Sequence, residues 1–162
     1  MTQAVSLASL GNGPAFSAYN SGTLQAISNA TDTAIQFQTE YFDLNGGYNN
    51  TGSTVTLNGV SVPAWSFGPN VAGYYQINAN LTFSPNGTGV RFIKIFKNAT
   101  LVSTSSVPGN AADWMASSAS AIVYLNGTSD HVTIYAWQNS ATTLSFANAG
   151  WNNFSASLVR GA

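Results

Sequence analysis

An all-β sandwich of jelly-roll type is the fold class that this sequence predicts, and three observations predict it. From Tyr75 to Phe83 the odd positions carry Tyr75, Ile77, Ala79, Leu81 and Phe83, while the even ones carry Gln76, Asn78, Asn80 and Thr82. A period of two places one set in a core and the other toward polar surroundings, which is a strand and not a helix. Short segments of similar character recur along the chain, separated by turn residues, and no segment has a helical period. No second domain, internal repeat or Gly-X-Y run interrupts the pattern.

Taken in order, Met1 to Gly13 is mildly apolar, ends in Gly-Asn-Gly-Pro and reads as a short N-terminal arm or stalk, with the jelly-roll domain spanning 14–162. Strands are expected at Ile35 to Asp43, Tyr75 to Phe83, Val90 to Phe96, Leu101 to Ser105 and Ala119 to Leu125. Val132 to Trp137, Leu144 to Ala147 and Phe154 to Val159 complete the set. Turns are expected at Pro85-Asn86-Gly87, Lys97-Asn98, Pro108-Gly109-Asn110 and Asn126-Gly127. The stretch Asn49 to Ser66, rich in Gly, Asn, Ser and Thr, reads as a long loop with an extra short strand near Val55 to Leu57.

Several strands are apolar on both faces. Ala119, Ala121, Val123 and Leu125 share one face, while Ile122 and Tyr124 lie on the other. Val132, Ile134 and Ala136 can fill a core, leaving Tyr135 and Trp137 opposite. A two-layer sandwich has one interior face per sheet, so Ile122, Tyr124, Tyr135 and Trp137 are candidates for a subunit interface. The alternative is a scatter of exposed aromatics.

Charged residues make up 6% of the 162 residues, against about 25% in an average globular protein. Asn, Ser, Thr and Gly therefore cover the surface. Four Lys and Arg residues are too few to neutralise a run of phosphates, which argues against a nucleic-acid partner. No apolar run approaches the ~20 residues of a membrane-spanning helix, and no Lys or Arg opens the N-terminus as a secretory signal would. The chain is expected to be made without secretory processing or to be part of something longer. With no Cys, it is no disulfide-stapled module.

Residues for catalysis are sparse. His131 is the single His, and Asp130, its neighbour on a strand, would point to the opposite face and could not orient it. Glu40 and Asp43 are expected to face opposite ways, as solvated or strand-end carboxylates rather than a glycosidase pair. Asp43-Leu44-Asn45-Gly46-Gly47 opens like a calcium loop, but Thr54 stands where a bidentate Glu would close it, so a turn is expected. No catalytic residue, metal site or cofactor is assigned. Sequons such as Asn86-Gly87-Thr88 and Asn126-Gly127-Thr128 read as turns. Binding is the better prospect: loops of a jelly roll alternate between its two ends, which groups Asn86, Asp113, Trp114, Asn148 and Trp151. Trp beside Asn and Asp suits a sugar, the ring stacking on a pyranose and the polar groups meeting its hydroxyls. Alternatively, Trp114 and Trp151 plug the ends of the core.

A spaced set of residues carries a family resemblance. Phe37 is followed after five residues by Asp43 and after four more by Tyr48. Phe67 is followed after five by Gly73 and then, one residue on, by Tyr75. Around them lie PAFSAY at Pro14 to Tyr19, IFKN at Ile95 to Asn98, SSASAIVYLN at Ser117 to Asn126 and FSASLV at Phe154 to Val159. In this order the set resembles the globular head of complement C1q and the tumour-necrosis-factor-like superfamily, from about Pro14 to Arg160. Asn49 to Ser66 stands as an insertion where that family has a short turn. The resemblance implies a C1q/TNF-like jelly roll, a homotrimer packed about a threefold axis, and a non-enzymatic role.

With the neutral surface, the absence of Cys and the missing signal, the expectation is a virion component of bacteriophage type, a fibre, spike or decoration knob. It would serve host attachment or particle structure, with other virion proteins and a cell-surface glycan or protein receptor as partners. Alternatives are the head of a secreted, extracellular C1q-like ligand or adhesin, and a glycan-active enzyme dependent on Glu40 or Asp43.

Overall fold

The computed structural model describes residues 13–22, 24–146 and 150–162. The expected arm, apart from Gly13, lies outside the described residues, as do Ala147 and Asn148. The strands are β1 (Ala15–Tyr19), β2 (Ala26–Ile27), β3 (Thr33–Ala34), β4 (Thr39–Leu44), β5 (Val55–Leu57), β6 (Val60–Val62) and β7 (Ser66–Phe67). They continue as β8 (Gly73–Phe83), β9 (Asn86–Lys97), β10 (Thr100–Asn110), β11 (Met115–Leu125), β12 (Val132–Gln138), β13 (Leu144–Ser145) and β14 (Asn153–Gly161).

Two antiparallel sheets carry the fold. The first runs β11-β8-β14-β1-β4, and the second runs β10-β9-β12-β3, with β7 pairing farther along the same edge of β12. The alternation read from Tyr75 to Phe83 is realised in β8, whose odd positions are all buried in the core. Across from them the second sheet contributes Ile93, Ile95, Val132, Ile134 and Ala136, all fully buried. Burial on this scale is the main stabilising term for a chain with no cross-links.

Several of the residues that carried the family resemblance meet around one ring. Phe16 stacks on Tyr48 at 4.6 Å and on Phe67 at 4.7 Å, and meets Phe154 edge-on at 4.7 Å. The Tyr48 hydroxyl donates to the Phe37 carbonyl (3.1 Å), and the Asp43 carboxylate accepts from the Tyr48 amide (2.9 Å). Phe67 meets Tyr75 edge-on at 5.6 Å. Gly73 has no room for a side chain: an added Cβ would lie 2.5 Å from the Arg160 carbonyl oxygen. The spacing is thus a packing code for an aromatic core and not a catalytic motif.

Three expectations need correction. Ile35 to Asp43 is not one strand. Ile35 still donates its amide to Ile134 of the second sheet, whereas β4 pairs with β1 of the first, so residues 35–38 carry the chain between the layers. Alternation persists through the crossing because Ile35 and Phe37 remain buried between the sheets. Second, Pro108-Gly109-Asn110 is no turn but the end of β10, and Asn86 and Gly87 already belong to β9. An edge strand tolerates Pro108 because one row of its amides has no sheet partner.

Third, Glu40 and Asp43 do not face opposite ways. A bulge opposite Ser17 and Ala18 inserts Tyr41 and resets the alternation. Glu40 then pairs with Ala18 and Asp43 with Phe16, both core-facing residues. The expected strand at Val55 to Leu57 is present as β5. It forms a hairpin with β6 across Asn58-Gly59, both at positive φ, and Val60 and Val62 are buried.

Candidate functional site

Three surfaces gather the residues singled out from the sequence. The first is the loop end of the sandwich. Trp114 immediately precedes Met115, whose register partner is Phe83, the last residue of β8. Trp151 is held beside the same strand end: its carbonyl accepts from the Asn80 side-chain amide (2.7 Å) and from the Thr82 hydroxyl (3.3 Å), while the Thr82 amide donates to the Asn152 side chain (2.7 Å). Trp114 and Trp151 therefore share one end, as the loop count predicts. They are 42% and 57% exposed, so neither is a core plug. Asp113 is exposed in the turn that Asn110 organises by accepting from the Ala112 and Asp113 amides. Asn148 lies outside the described residues.

Beneath this end the core turns polar. Arg91 is fully buried with no carboxylate partner, its guanidinium donating to the carbonyls of Asn86 and Thr88. Burial pushes its pKa down. Gly109 packs against it, an added Cβ there lying 2.6 Å from the Arg91 Nη1. Gln138, paired with Arg91 across the strands and also buried, donates to the carbonyls of Ile27 and Thr142. Arg91 thereby fastens the first residues of β9, and Gln138 ties β2 and the bend at Thr142 to the end of β12.

The second surface is the outer face of the first sheet. Ile122 (62% exposed) and Tyr124 stand there with Tyr74 and Val159 around an open groove of about 520 Å³. Tyr74 and Tyr124 rings lie 5.4 Å apart, and Lys97 approaches the Tyr124 ring at 5.7 Å. Asn78, Asn80, Ser118, Ser120 and Asn153 make the adjoining part of this face polar. At the opposite edge, β4 exposes Tyr41, Phe42 and Leu44. Neither Tyr74 nor Phe42 was singled out from the sequence: Tyr74 lies one residue before the alternating run, and the bulge at Tyr41, which leaves Tyr41 and Phe42 both exposed, has no sequence signal.

Tyr135 and Trp137 are not on that surface. They project from the outer face of the second sheet, where Tyr135 meets Phe96 (5.1 Å) and Trp137 meets Phe92 (5.5 Å), both edge-on. The four residues grouped as one interface thus divide two and two across the sandwich. Strand alternation separates inside from outside but does not say to which sheet a strand belongs.

Asp43 and Asp130 are tied up structurally. The Asp43 carboxylate accepts from the Gly47 amide (3.2 Å) as well as that of Tyr48, closing the turn expected there. Burial raises its pKa against these bonds, and burial together with Asp43 raises that of Glu40. Asp130 accepts from Lys97 (2.8 Å), the Asn98 side chain (2.9 Å) and the Asn126 amide (3.1 Å). Burial alone would raise its pKa, but these partners together hold it below the usual carboxylate range. Burial lowers the pKa of His131, against the opposing pull of the Ser129 backbone and Asp130. No nucleophile–base–acid arrangement arises from these contacts.

No family model and no curated protein sequence matches the chain. Solved structures do. The globular domain of zebrafish complement 1qA protein matches with a TM-score of 0.62 at 13% identity, over 92% of this chain and 99% of that one. Murine APRIL matches with a TM-score of 0.61 at 9% identity, over 91% and 99%. The PRD1 vertex protein P5 matches with a TM-score of 0.54 at 13% identity, over 91% of this chain and 74% of that chain. At such identities the likeness is one of fold, and the fold is the C1q/TNF-like jelly roll.

Proposed function

We propose that this chain is a non-enzymatic homotrimeric head of a virion fibre, spike or decoration protein, serving attachment or particle structure. One observation carries the assembly. The outer face of the first sheet bears two unlike apolar patches at opposite edges, Tyr74, Ile122, Tyr124 and Val159 on one side and Tyr41, Phe42 and Leu44 on the other. Unlike patches on one face fit a heterologous contact, each copy's patch meeting the other patch of the next, and such contacts close into rings. The C1q/TNF-like fold favours a ring of three. A twofold dimer would pair the two patches reciprocally, and its solution mass would be that of two chains.

The sparse charge of the surface and the likeness to a vertex protein support a place on a particle, and the exposed Trp114 and Trp151 support receptor contact at the loop end. Solution mass by light scattering tests the assembly. The expected value is three times 16.9 kDa, and Ile122→Lys, which sets a charge in the interface, should reduce it to that of one chain. A wild-type monomer at micromolar concentration overturns the trimer. Mass spectrometry of purified particles tests the location, and secretion of the chain without particles overturns it.

A further inference from the structure

We infer that the outer face of the second sheet is a binding site for a neutral glycan, built around Trp137, Phe92, Lys94 and Asp32. The Trp137 indole is partly exposed and is braced edge-on by Phe92 at 5.5 Å, with an interplanar angle of 75°. Lys94, two residues along β9 from Phe92 and opposite Tyr135, completes with them a shallow groove of about 200 Å³. Its ammonium is 5.7 Å from the indole centroid and 2.6 Å from the Asp32 carboxylate, whose side chain is 43% exposed.

The chemistry selects the occupant. A lysine ammonium only donates hydrogen bonds and a carboxylate only accepts them. A vicinal diol of a pyranose offers one oxygen to the first and one hydroxyl proton to the second. Its C–H face then lies against the indole, as an aromatic platform with convergent polar groups requires. The charges of Lys94 and Asp32 cancel, so the groove holds no net field for a sulfate or carboxylate. A second copy of the chain finds its complementary apolar patches on the other sheet.

All four residues come from one protomer, so the site is complete without the assembly proposed above. Where the first sheet faces a threefold axis, the second sheet faces outward, and three such sites give the head avidity for a repeating polysaccharide.

The test uses the intact chain labelled with 5-fluorotryptophan. The four Trp residues give four ¹⁹F signals, assigned through Trp→Phe variants and followed while cellohexaose, maltohexaose and chitohexaose are each added to about 10 mM. The expected result is a saturable shift of the Trp137 signal with at least one sugar. Trp137→Ala should abolish binding measured by saturation-transfer NMR. Lys94→Met, which keeps the sheet and the indole in place, should weaken it at least about tenfold through loss of a charged hydrogen bond. Movement confined to Trp114 or Trp151, no saturable shift with any of the three, or tenfold tighter binding of a sulfated chain overturns the inference. Light scattering on the same samples reports the oligomer separately, so a monomer that still binds through Trp137 leaves this inference standing.

Discussion

Replacing Asp130 by Ala should cost the fold about 3 kcal/mol. The side chain is 11% exposed and ties together three elements: Lys97 at the end of β9, Asn98 in the following turn and the Asn126 amide just after β11. Loss of the acceptor leaves two partly buried neutral donors unpaired, each worth about 1 kcal/mol. The Lys97 ammonium, 28% exposed, turns to water and adds about 1 kcal/mol or less. For a chain of this length the sum corresponds to a fall in Tm of about 6–12 °C. Asp130→Asn keeps one acceptor and should lose about half as much.

Thermal unfolding followed by far-UV circular dichroism, at one fixed protein concentration, measures both variants. The pH dependence supplies the sign. Because Asp130 titrates lower in the folded state than the unfolded value of about 3.9, its contribution is complete above that value and is lost as pH falls through the folded pKa. The gap between wild type and Asp130→Asn should therefore be constant at neutral pH and narrow in acid. A Tm for Asp130→Ala within about 2 °C of wild type would refute the reasoning. So would a gap that widens in acid.

Phe16→Ala removes the ring on which Tyr48, Phe67 and Phe154 converge and should cost about 3–5 kcal/mol by urea denaturation. Gly73→Ala should destabilise by about 2 kcal/mol or more in the same assay, because the new methyl meets a backbone carbonyl and the Leu158 side chain, each 2.5 Å away. His131 binds its proton less readily in the fold than in the unfolded chain, which protonates near 6.5. Stability should thus decline as pH drops below about 6.5, and His131→Asn should flatten that part of the urea-midpoint profile.

Much of the fold was legible because the core strands obey simple alternation. The run Tyr75 to Phe83 gave β8 almost to the residue, and Val55 to Leu57 was found inside a loop of Gly, Asn and Ser by its two branched or apolar positions. What was not legible depends on partners. The bulge at Tyr41 reverses the sense of β4 without any Gly or Pro to announce it, so Glu40 and Asp43 came out on one side. The outward residues of β11 and β12 look alike in sequence, yet Ile122 and Trp137 belong to opposite faces because sheet membership is decided by pairing far along the chain. Lys94 and Asp32, 62 positions apart, meet only once β9 is folded. The grouping of Trp114 with Trp151 was accessible because loop alternation follows from connectivity alone.

The edge strand β10 has a consequence for solubility. It is eleven residues long and its outer row of amides and carbonyls has no sheet partner among the described residues, the template on which strands from other molecules add. Most proteins guard such an edge with lysines, a device scarcely open to a chain with four Lys and Arg residues in all. Here the guard is in the backbone: irregularities at Leu101/Ser103 and Pro108/Asn110 interrupt the row near both ends, and Pro108 deletes one donor. Since no titrating group takes part, resistance to edge-to-edge stacking should be indifferent to salt and acidity.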